Sequence, residues 1–124
     1  MKRLFETNDV LNQVLECDAL IRYVAIARGQ KVAMKQRQDL SAASSSESDW
    51  YEELLVNPAV LMLTMQRGDI DCGGLEYVIV RYGNFFQIVM PFGDGHISAA
   101  VEPSGDPVTI ASKIALIRGR GTSA

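Results

Sequence analysis

The stretch YVIVRYGNFFQIVMPFGDGHISAAVEP, residues 77–103, decides the fold. It contains three runs rich in β-branched, aromatic and small apolar residues, separated by the pair Gly83-Asn84 and by the GDG of residues 93–95. Short glycine turns of this kind join neighbouring strands of an antiparallel sheet. The stretch therefore predicts a meander of three strands, over residues 75–82, 85–92 and 96–102, that ends at Pro103.

Both faces of this predicted sheet are apolar. Tyr77 and Ile79 alternate with Val78 and Val80, so neither side of the first strand is polar. Strands that are apolar on both sides are typical of sheets covered on both faces. We therefore expect helices on each side of the sheet.

The residues before the meander predict a helix and a hairpin. From Asn8 to Ala19 apolar residues recur at helical spacing, with Thr7 or Asn8 available as the N-cap. The runs IRYVAIA and KVAMKQR are joined by RGQK, where Gly29 suits a type II′ turn. These two runs predict an antiparallel pair of strands.

A long helix over residues 47–67 is the next expected element. Pro58 cannot donate a backbone hydrogen bond, so it predicts a break or kink, with Asn57 as the cap of a second segment. That segment, PAVLMLTMQRG, is apolar nearly all round, so one contact face cannot bury it.

The last helix begins at Asp106-Pro107, an N-cap followed by a proline, and is expected to stop at Arg118-Gly119. Its predicted inward residues are Val108, Ile110, Ala111, Ile114 and Ile117. The full order predicts one α+β domain over residues 1–124, a five-stranded antiparallel sheet with helices on both faces. We expect an ordered core over about 8–118, a flexible serine loop over about 40–48 and a tail over 119–124.

Composition excludes several classes of protein. The chain has 124 residues, a formal net charge of −3 and 22% charged residues, which favours neither disorder nor a nucleic-acid partner. The sequence contains no run of 18 apolar residues, so no membrane-spanning helix is predicted. Cys17 and Cys72 have no pairing pattern, which fits a reducing compartment, so we expect a cytoplasmic protein.

The residues Asp94, His96 and Ser98 have the types of a hydrolase triad. Residues two apart in a strand share one face, at a spacing of about 6.6 Å between Cα atoms. A triad needs side chains in hydrogen-bond contact and a nucleophile on a sharp turn, and no G-x-S-x-G occurs. The favoured interpretation is a turn that enters a strand, and we expect no catalytic residue.

The sequence also predicts no metal and no cofactor. Cys17, Cys72 and His96 are the whole set of soft ligands, and no two of them are close in sequence. Asp69 and Asp71 lack the later residues of a calcium loop, and no G-x-x-x-x-G-K is present to bind a nucleotide.

In the order of its elements, and in residues 77–103, the chain resembles the roadblock / dynein light chain family. The resemblance implies a sheet between one long helix and two shorter ones, in a homodimer that has no chemistry of its own. Family members are platforms for small Ras-like GTPases or light chains of larger assemblies, and bacterial members include regulators of a motility GTPase. The resemblance thus implies a regulatory or scaffold protein with a small Ras-like GTPase as its partner.

The family pairs its third strands edge to edge, here Leu75 to Tyr82, and packs its long helices together, here residues 47–67. An eight-residue strand, about 26 Å long, without proline is also a poorly guarded sheet edge on physical grounds. The expected dimer interface consists of Leu75, Tyr77, Ile79, Arg81, Val60, Leu61, Leu63 and Met65.

Four further residues are candidate partner contacts: Trp50, Tyr51, Leu54 and His96. Two other functions stay open at this point. A polar patch around His96 and Gln87 could line the pocket of a small-molecule sensor domain. A hydrolase centred on His96 is the third hypothesis.

Overall fold

The protein is described here by a computed structural model, which covers residues 2–37 and 46–122. It is an α+β domain with one five-stranded antiparallel sheet in the order β2-β1-β5-β4-β3. The strands are β1 Ile21–Arg28, β2 Lys31–Gln36, β3 Val78–Arg81, β4 Phe86–Phe92 and β5 Gly95–Val101. The helices are α1 Lys2–Cys17, α2 Ser46–Tyr51, α3 Asn57–Asp71 and α4 Pro107–Thr122, with a π turn, Glu52–Val56, between α2 and α3.

One face of the sheet packs against α1 and α4 and forms the main core. Ile26 of β1, Met90 of β4 and Ile97 of β5 all point to this side and are buried. From the helices, the core receives Val10, Leu11, Val14, Leu15, Ile110, Ala111, Ile114 and Ile117. Alternation along the strands sends their other side chains to the opposite face.

That opposite face lies under the long helix, by which we mean α2, the π turn and α3 together, Ser46–Asp71. The apolar cluster here is small and contains Tyr23, Ala25 and Ala100 as its buried members. Helices therefore cover both faces, as the apolar strands predicted, but the two sides differ greatly in how much apolar surface they bury.

The long helix runs through Pro58, so the predicted break at this residue is wrong. The backbone N–H of Asn57 donates to the carbonyl of Glu52, five residues back, which is a π-helical bond. The π turn thus ends at Val56, two residues before the proline, and the helix continues past the missing donor. Asn57 is correspondingly not a cap, and its side chain bonds to Glu53 instead.

The three predicted hairpins are confirmed by the strand register. Arg28 pairs with Lys31, Phe92 pairs with Gly95, and the N–H of Tyr82 donates to the carbonyl of Phe85, which leaves two residues in each turn. Gly29 and Gly93 have φ angles of 60° and 58°, a region that favours glycine.

Gly95 is required for a different reason from the backbone freedom of a turn. A Cβ atom at this position would lie 1.7 Å from the carbonyl oxygen of Ala27. The start of β5 therefore passes so close to the end of β1 that no side chain fits.

Strand β3 has four residues, not the eight predicted for residues 75–82. Continuing the register would place Glu76 opposite Pro91, which has no N–H to donate to the ladder. Nη1 of Arg118 instead donates to both carbonyl oxygens, at 3.2 Å to Glu76 and 3.3 Å to Pro91. The guanidinium of Arg118 in α4 thus binds the two carbonyl groups where the next hydrogen bonds of the β3–β4 ladder would form.

Several predicted boundaries shift. Helix α1 begins at Lys2, so Thr7 and Asn8 lie inside it and not at its start. Asp106 caps α4 as predicted, accepting from the N–H groups of Val108 and Thr109, but α4 continues past Gly119. Val108 is exposed, not inward, because it lies in the first turn beside the cap.

The predicted loop and tail fall partly outside the described residues. Residues 46–48 of the predicted serine loop are helical, and residues 40–45 lie outside the described part of the chain. Residues 119–122 of the predicted tail belong to α4, and residues 123–124 also lie outside. Among the helices of residues 2–37 and 46–122, none is long and apolar enough to cross a membrane.

Candidate functional site

The long helix carries most of the large apolar side chains that lie exposed in residues 2–37 and 46–122. Eight of these ten exposed side chains belong to it, and the other two, Val108 and Leu116, belong to α4. Leu63 is 63% exposed and Ile70 is 75% exposed. Large apolar side chains exposed in this number on one element are typical of protein interaction surfaces. The eight residues, which we call the apolar helix face, are Trp50, Tyr51, Leu54, Leu55, Met62, Leu63, Met65 and Ile70.

The apolar helix face is exposed because only a narrow stripe of the helix is buried. Glu53, Asn57 and Leu61, each four residues apart, are buried, and Gly68 follows near the helix end. Residues four apart lie on one side of a helix, so this stripe faces the sheet and the remaining sides do not.

The contact between the long helix and the sheet is centred on the buried carboxylate of Glu53. Its Oε1 lies 2.8 Å from Nε2 of His96 and accepts from Nδ2 of Asn57 at 3.1 Å. Its Oε2 accepts from the hydroxyls of Ser98 at 2.6 Å and Tyr23 at 3.0 Å. We call these five residues the Glu53 cluster. They join the π turn to β1 and β5.

The buried carboxylate of Glu53 is unusual because it forms no ion pair with a lysine or an arginine among its four hydrogen-bond partners. Neither lysine nor arginine is among the four partners of Glu53, and His96 is the one basic group among them. Burial, together with the nearby carboxylate of Glu53, raises the pKa of the Tyr23 hydroxyl well above its usual range. The tyrosine therefore stays protonated, and its hydroxyl donates a hydrogen bond to Glu53.

Beside the cluster, Glu52 makes a second polar contact between the helix and the sheet. The hydroxyl of Tyr82, which follows β3, lies 3.2 Å and 3.1 Å from the two carboxylate oxygens. Burial raises the pKa of Glu52, and the hydrogen bond from Tyr82 partly offsets this effect.

The three triad-type residues are separated by the fold. Asp94 is exposed in the turn, while His96 and Ser98 are buried and both directed at Glu53. His96, a predicted partner contact, is 3% exposed beneath the long helix, so little of its side chain lies on the surface. Within residues 2–37 and 46–122, no group of three His, Cys, Asp or Glu side chains is arranged to hold a metal ion.

Glu53 itself was not singled out from the sequence. The signal that points to it is a run of polar side chains on one face of the sheet. Tyr23, His96 and Ser98 occupy positions that alternation assigns to the same side, and such a set needs a buried partner on the covering helix.

The sequence-predicted dimer residues differ in how far they are exposed. Leu63, Met65 and Arg81 are exposed, and Leu75 and Val60 are half-buried. Leu61 does not lie on the outer surface, because it is buried in the stripe that faces the sheet. The side chains of Tyr77 and Ile79 are half-buried and pack against the core of α1 and α4.

The backbone of β3 is nevertheless open. The N–H of Tyr82 donates to the carbonyl of Phe85 at 2.9 Å, which makes this a hydrogen-bonded pair of the β3–β4 ladder. Such pairs alternate along an antiparallel ladder. The backbone N–H and C=O groups of Val80 therefore also point to β4, whereas those of Ile79 and Arg81 point away from it. In the described part of the chain, β3 pairs with no strand besides β4.

Two cavities flank the Glu53 cluster. One, of about 540 Å³, lies toward α2 and is lined by residues that include Tyr23, Glu52 and Tyr82. The other, of about 370 Å³, lies toward α3 and is lined by residues that include Glu53, Met62 and His96. Of the two residues of the expected sensor pocket, His96 lines the second cavity, whereas Gln87 lines neither of these two cavities.

Comparisons with known proteins give matches in structure and none in sequence. No protein-family model matches the chain, and no curated protein matches it in sequence. The structure is similar to a Roadblock/LC7 domain from Streptomyces avermitilis, with a TM-score of 0.68 at 11% identity and 90% of each chain covered.

Two structures of MglB are also similar. The gliding protein MglB from Thermus thermophilus has a TM-score of 0.62 at 13% identity, with 94% of this chain and 90% of that chain covered. MglB with a tetrameric arrangement has a TM-score of 0.59 at 14% identity, with 94% and 90% covered. At these identities the likeness concerns the fold, and the strand order and the long helix described above agree with it. The chain has the roadblock fold.

Proposed function

We propose that this chain is a non-enzymatic regulatory or scaffold protein of the cytoplasm, which forms a homodimer and binds a small Ras-like GTPase. The observation that carries the proposal is the apolar helix face, which a second protein would remove from water.

The homodimer is supported by two unpaired surfaces of the same domain. The outward N–H and C=O groups of Ile79 and Arg81 form an open edge, and exposed edges pair with other strands. A two-fold axis would place the same edge of a second copy antiparallel to it and would pair the apolar helix faces. The presence of an MglB with a tetrameric arrangement among the similar structures is consistent with self-association of this fold.

A GTPase partner follows from the family resemblance and from the chemistry of the exposed side chains. Trp50 and Tyr51 are exposed in α2, and aromatic residues supply much of the energy of protein interfaces. The similarity in fold to the gliding protein MglB is consistent with a regulatory role of this kind.

The absence of chemistry is supported by the way the Glu53 cluster engages its members. Ser98 donates to a carboxylate, not to His96, so the histidine does not activate the hydroxyl. The side chain of Ser98 is buried, which separates its hydroxyl from a substrate in solution.

Capture from native lysate tests the GTPase partner. Immobilised protein is incubated with lysate that contains either GDP or a non-hydrolysable GTP analogue, and captured proteins are identified by mass spectrometry. We expect a small Ras-like GTPase whose recovery depends on the nucleotide. Trp50→Ala should reduce its recovery, whereas Leu116→Ala, at an exposed leucine of α4, should not. Recovery of no GTPase, or equal recovery on both variants, would contradict the proposal.

A further inference from the structure

We propose that the cavity of about 540 Å³ binds a small organic cation, specifically a quaternary ammonium that carries apolar groups. This inference concerns a site beside the Glu53 cluster and does not depend on the dimer or on the GTPase. The volume of the cavity lies within the range of ordinary small-molecule pockets, about 300–1,000 Å³.

The aromatic lining of this cavity is the first argument. Four of its lining side chains are aromatic: Tyr23, Tyr51, Tyr82 and Phe85. The rings of Tyr82 and Phe85 are adjacent and tilted, with centroids 5.2 Å apart and an interplanar angle of 46°. Electron-rich ring faces attract a cation, and several rings around one space are the usual receptor for a quaternary ammonium.

The acidic groups of the cavity are the second argument. Asp49 and Glu52 both line it. Burial raises the pKa of Glu52, and the carboxylates of Glu53 and Asp49 raise it further, so the ionised form of Glu52 is costly to hold in place. A cation in the cavity would offset this cost.

Arg22 is the basic side chain among the described residues that line the cavity. Its Nε lies 3.8 Å from Glu102, a carboxylate that does not line the cavity. Its guanidinium carbon lies 5.6 Å from the centroid of Phe85, so the wall already holds one cation over an aromatic ring. Among the described lining residues two side chains are acidic, Asp49 and Glu52, and one is basic, and this balance disfavours an anionic ligand.

A neutral apolar ligand is the main competing occupant, and charge separates the two. Titration calorimetry with the full chain compares choline with its neutral isostere, in which a carbon atom replaces the quaternary nitrogen. Benzyltrimethylammonium serves as a larger cationic probe. We expect saturable binding of the cations and about tenfold weaker binding of the neutral isostere.

Two variants assign the binding to the cavity. Glu52→Gln should weaken the binding of both cations about tenfold, and Phe85→Leu should weaken it by a similar factor. Glu52→Gln should remain folded, because the amide avoids the desolvation that raises the pKa of Glu52. Glu76→Gln, at an exposed acid outside the cavity, should leave binding unchanged.

Three results would overturn the proposal. They are no saturable binding of either cation, equal binding of choline and its neutral isostere, and full binding to Glu52→Gln and Phe85→Leu. Thermal unfolding of each variant, monitored by circular dichroism, shows that a loss of binding is not a loss of the fold.

Discussion

The hydroxyl of Ser98 donates a 2.6 Å hydrogen bond to Oε2 of Glu53, which joins β5 to the π turn across 45 residues of sequence. This bond and the three others to Glu53 fix the rotation of the long helix about its own axis. Because Glu53 faces the sheet, Leu54 and Leu55 next to it face outward. A polar contact in the interior thus determines which side chains form the apolar helix face.

Removing the charge of Glu53 should destabilise the domain strongly. In Glu53→Gln an amide replaces a carboxylate that accepts from four groups, so at least one buried donor loses its acceptor. We expect the free energy of unfolding to fall by about 2–4 kcal/mol. Urea unfolding followed by circular dichroism measures it. Glu76→Gln, an exposed glutamate with a 4.0 Å ion pair to Arg118, should change stability by less than about 0.5 kcal/mol.

Tyr23 should make stability sensitive to alkaline pH. Burial and Glu53 raise its pKa in the folded state, whereas in the unfolded chain it ionises near pH 10. Above about pH 10 the unfolded state therefore binds fewer protons, and this contribution to stability falls by about 1.4 kcal/mol per pH unit. Below that pH the contribution is fully present.

The variant Tyr23→Phe isolates this effect. It should lose about 1–2 kcal/mol at pH 7, because one buried hydrogen bond is absent. Its stability should then decline less steeply than that of the wild type between about pH 10 and 11.5. Parallel alkaline slopes in urea titrations of the two proteins would show that Tyr23 is not held protonated by the fold.

Gly95 should tolerate no side chain. A Cβ atom would lie 1.7 Å from the carbonyl oxygen of Ala27, so Gly95→Ala must displace β5 from β1. We expect a loss of more than about 3 kcal/mol. Gly83→Ala is the matched control, since no atom lies within 4 Å of the added carbon and its φ is not in the left-handed region. Similar thermal stability of the two variants would refute the claim that the close approach of β5 to β1 excludes a side chain at residue 95.

The sequence predicts the order of elements and all three hairpins correctly, because short glycine turns and strand alternation are local signals. The faces of the long helix are less predictable. The sequence does not show which side of this all-round apolar helix faces the sheet. Leu61, a predicted interface residue, is buried because it lies four residues after Asn57 and eight after Glu53, on the side that faces the sheet.

Contacts between distant segments explain the other differences. The end of β3 depends on Pro91 and on Arg118, which are 15 and 42 residues from Glu76. The role of Glu53 depends on which helix side meets Ser98 and His96. The periodicity of residues within a single helix or strand predicts neither of these contacts.

The apolar helix face should be essential for self-association. Leu63→Glu places a charge at a leucine that is 63% exposed on the long helix. We expect this variant to be a folded monomer, because the charge would be buried without a partner in the dimer. Leu116→Glu, at a leucine that is 71% exposed on α4, should stay dimeric. Size-exclusion chromatography with light scattering distinguishes the outcomes, and a dimeric Leu63→Glu would place the interface elsewhere.

The edge of β3 allows a test with little change to the fold. The N–H of Arg81 points away from β4, so Arg81→Pro removes an outward donor and keeps the ladder to β4. Both Arg81→Pro and Arg81→Ala remove the contact of the guanidinium with the Phe86 ring, but Arg81→Ala keeps the backbone N–H. The comparison therefore isolates the backbone edge from the side chain.

The most direct measurement of the central claim is the mass of these three proteins in solution by light scattering at micromolar concentration. The account predicts twice the chain mass of 13.6 kDa for the wild type and for Arg81→Ala, and the mass of one chain for Arg81→Pro. A wild-type mass of 13.6 kDa across the concentration range would contradict the homodimer.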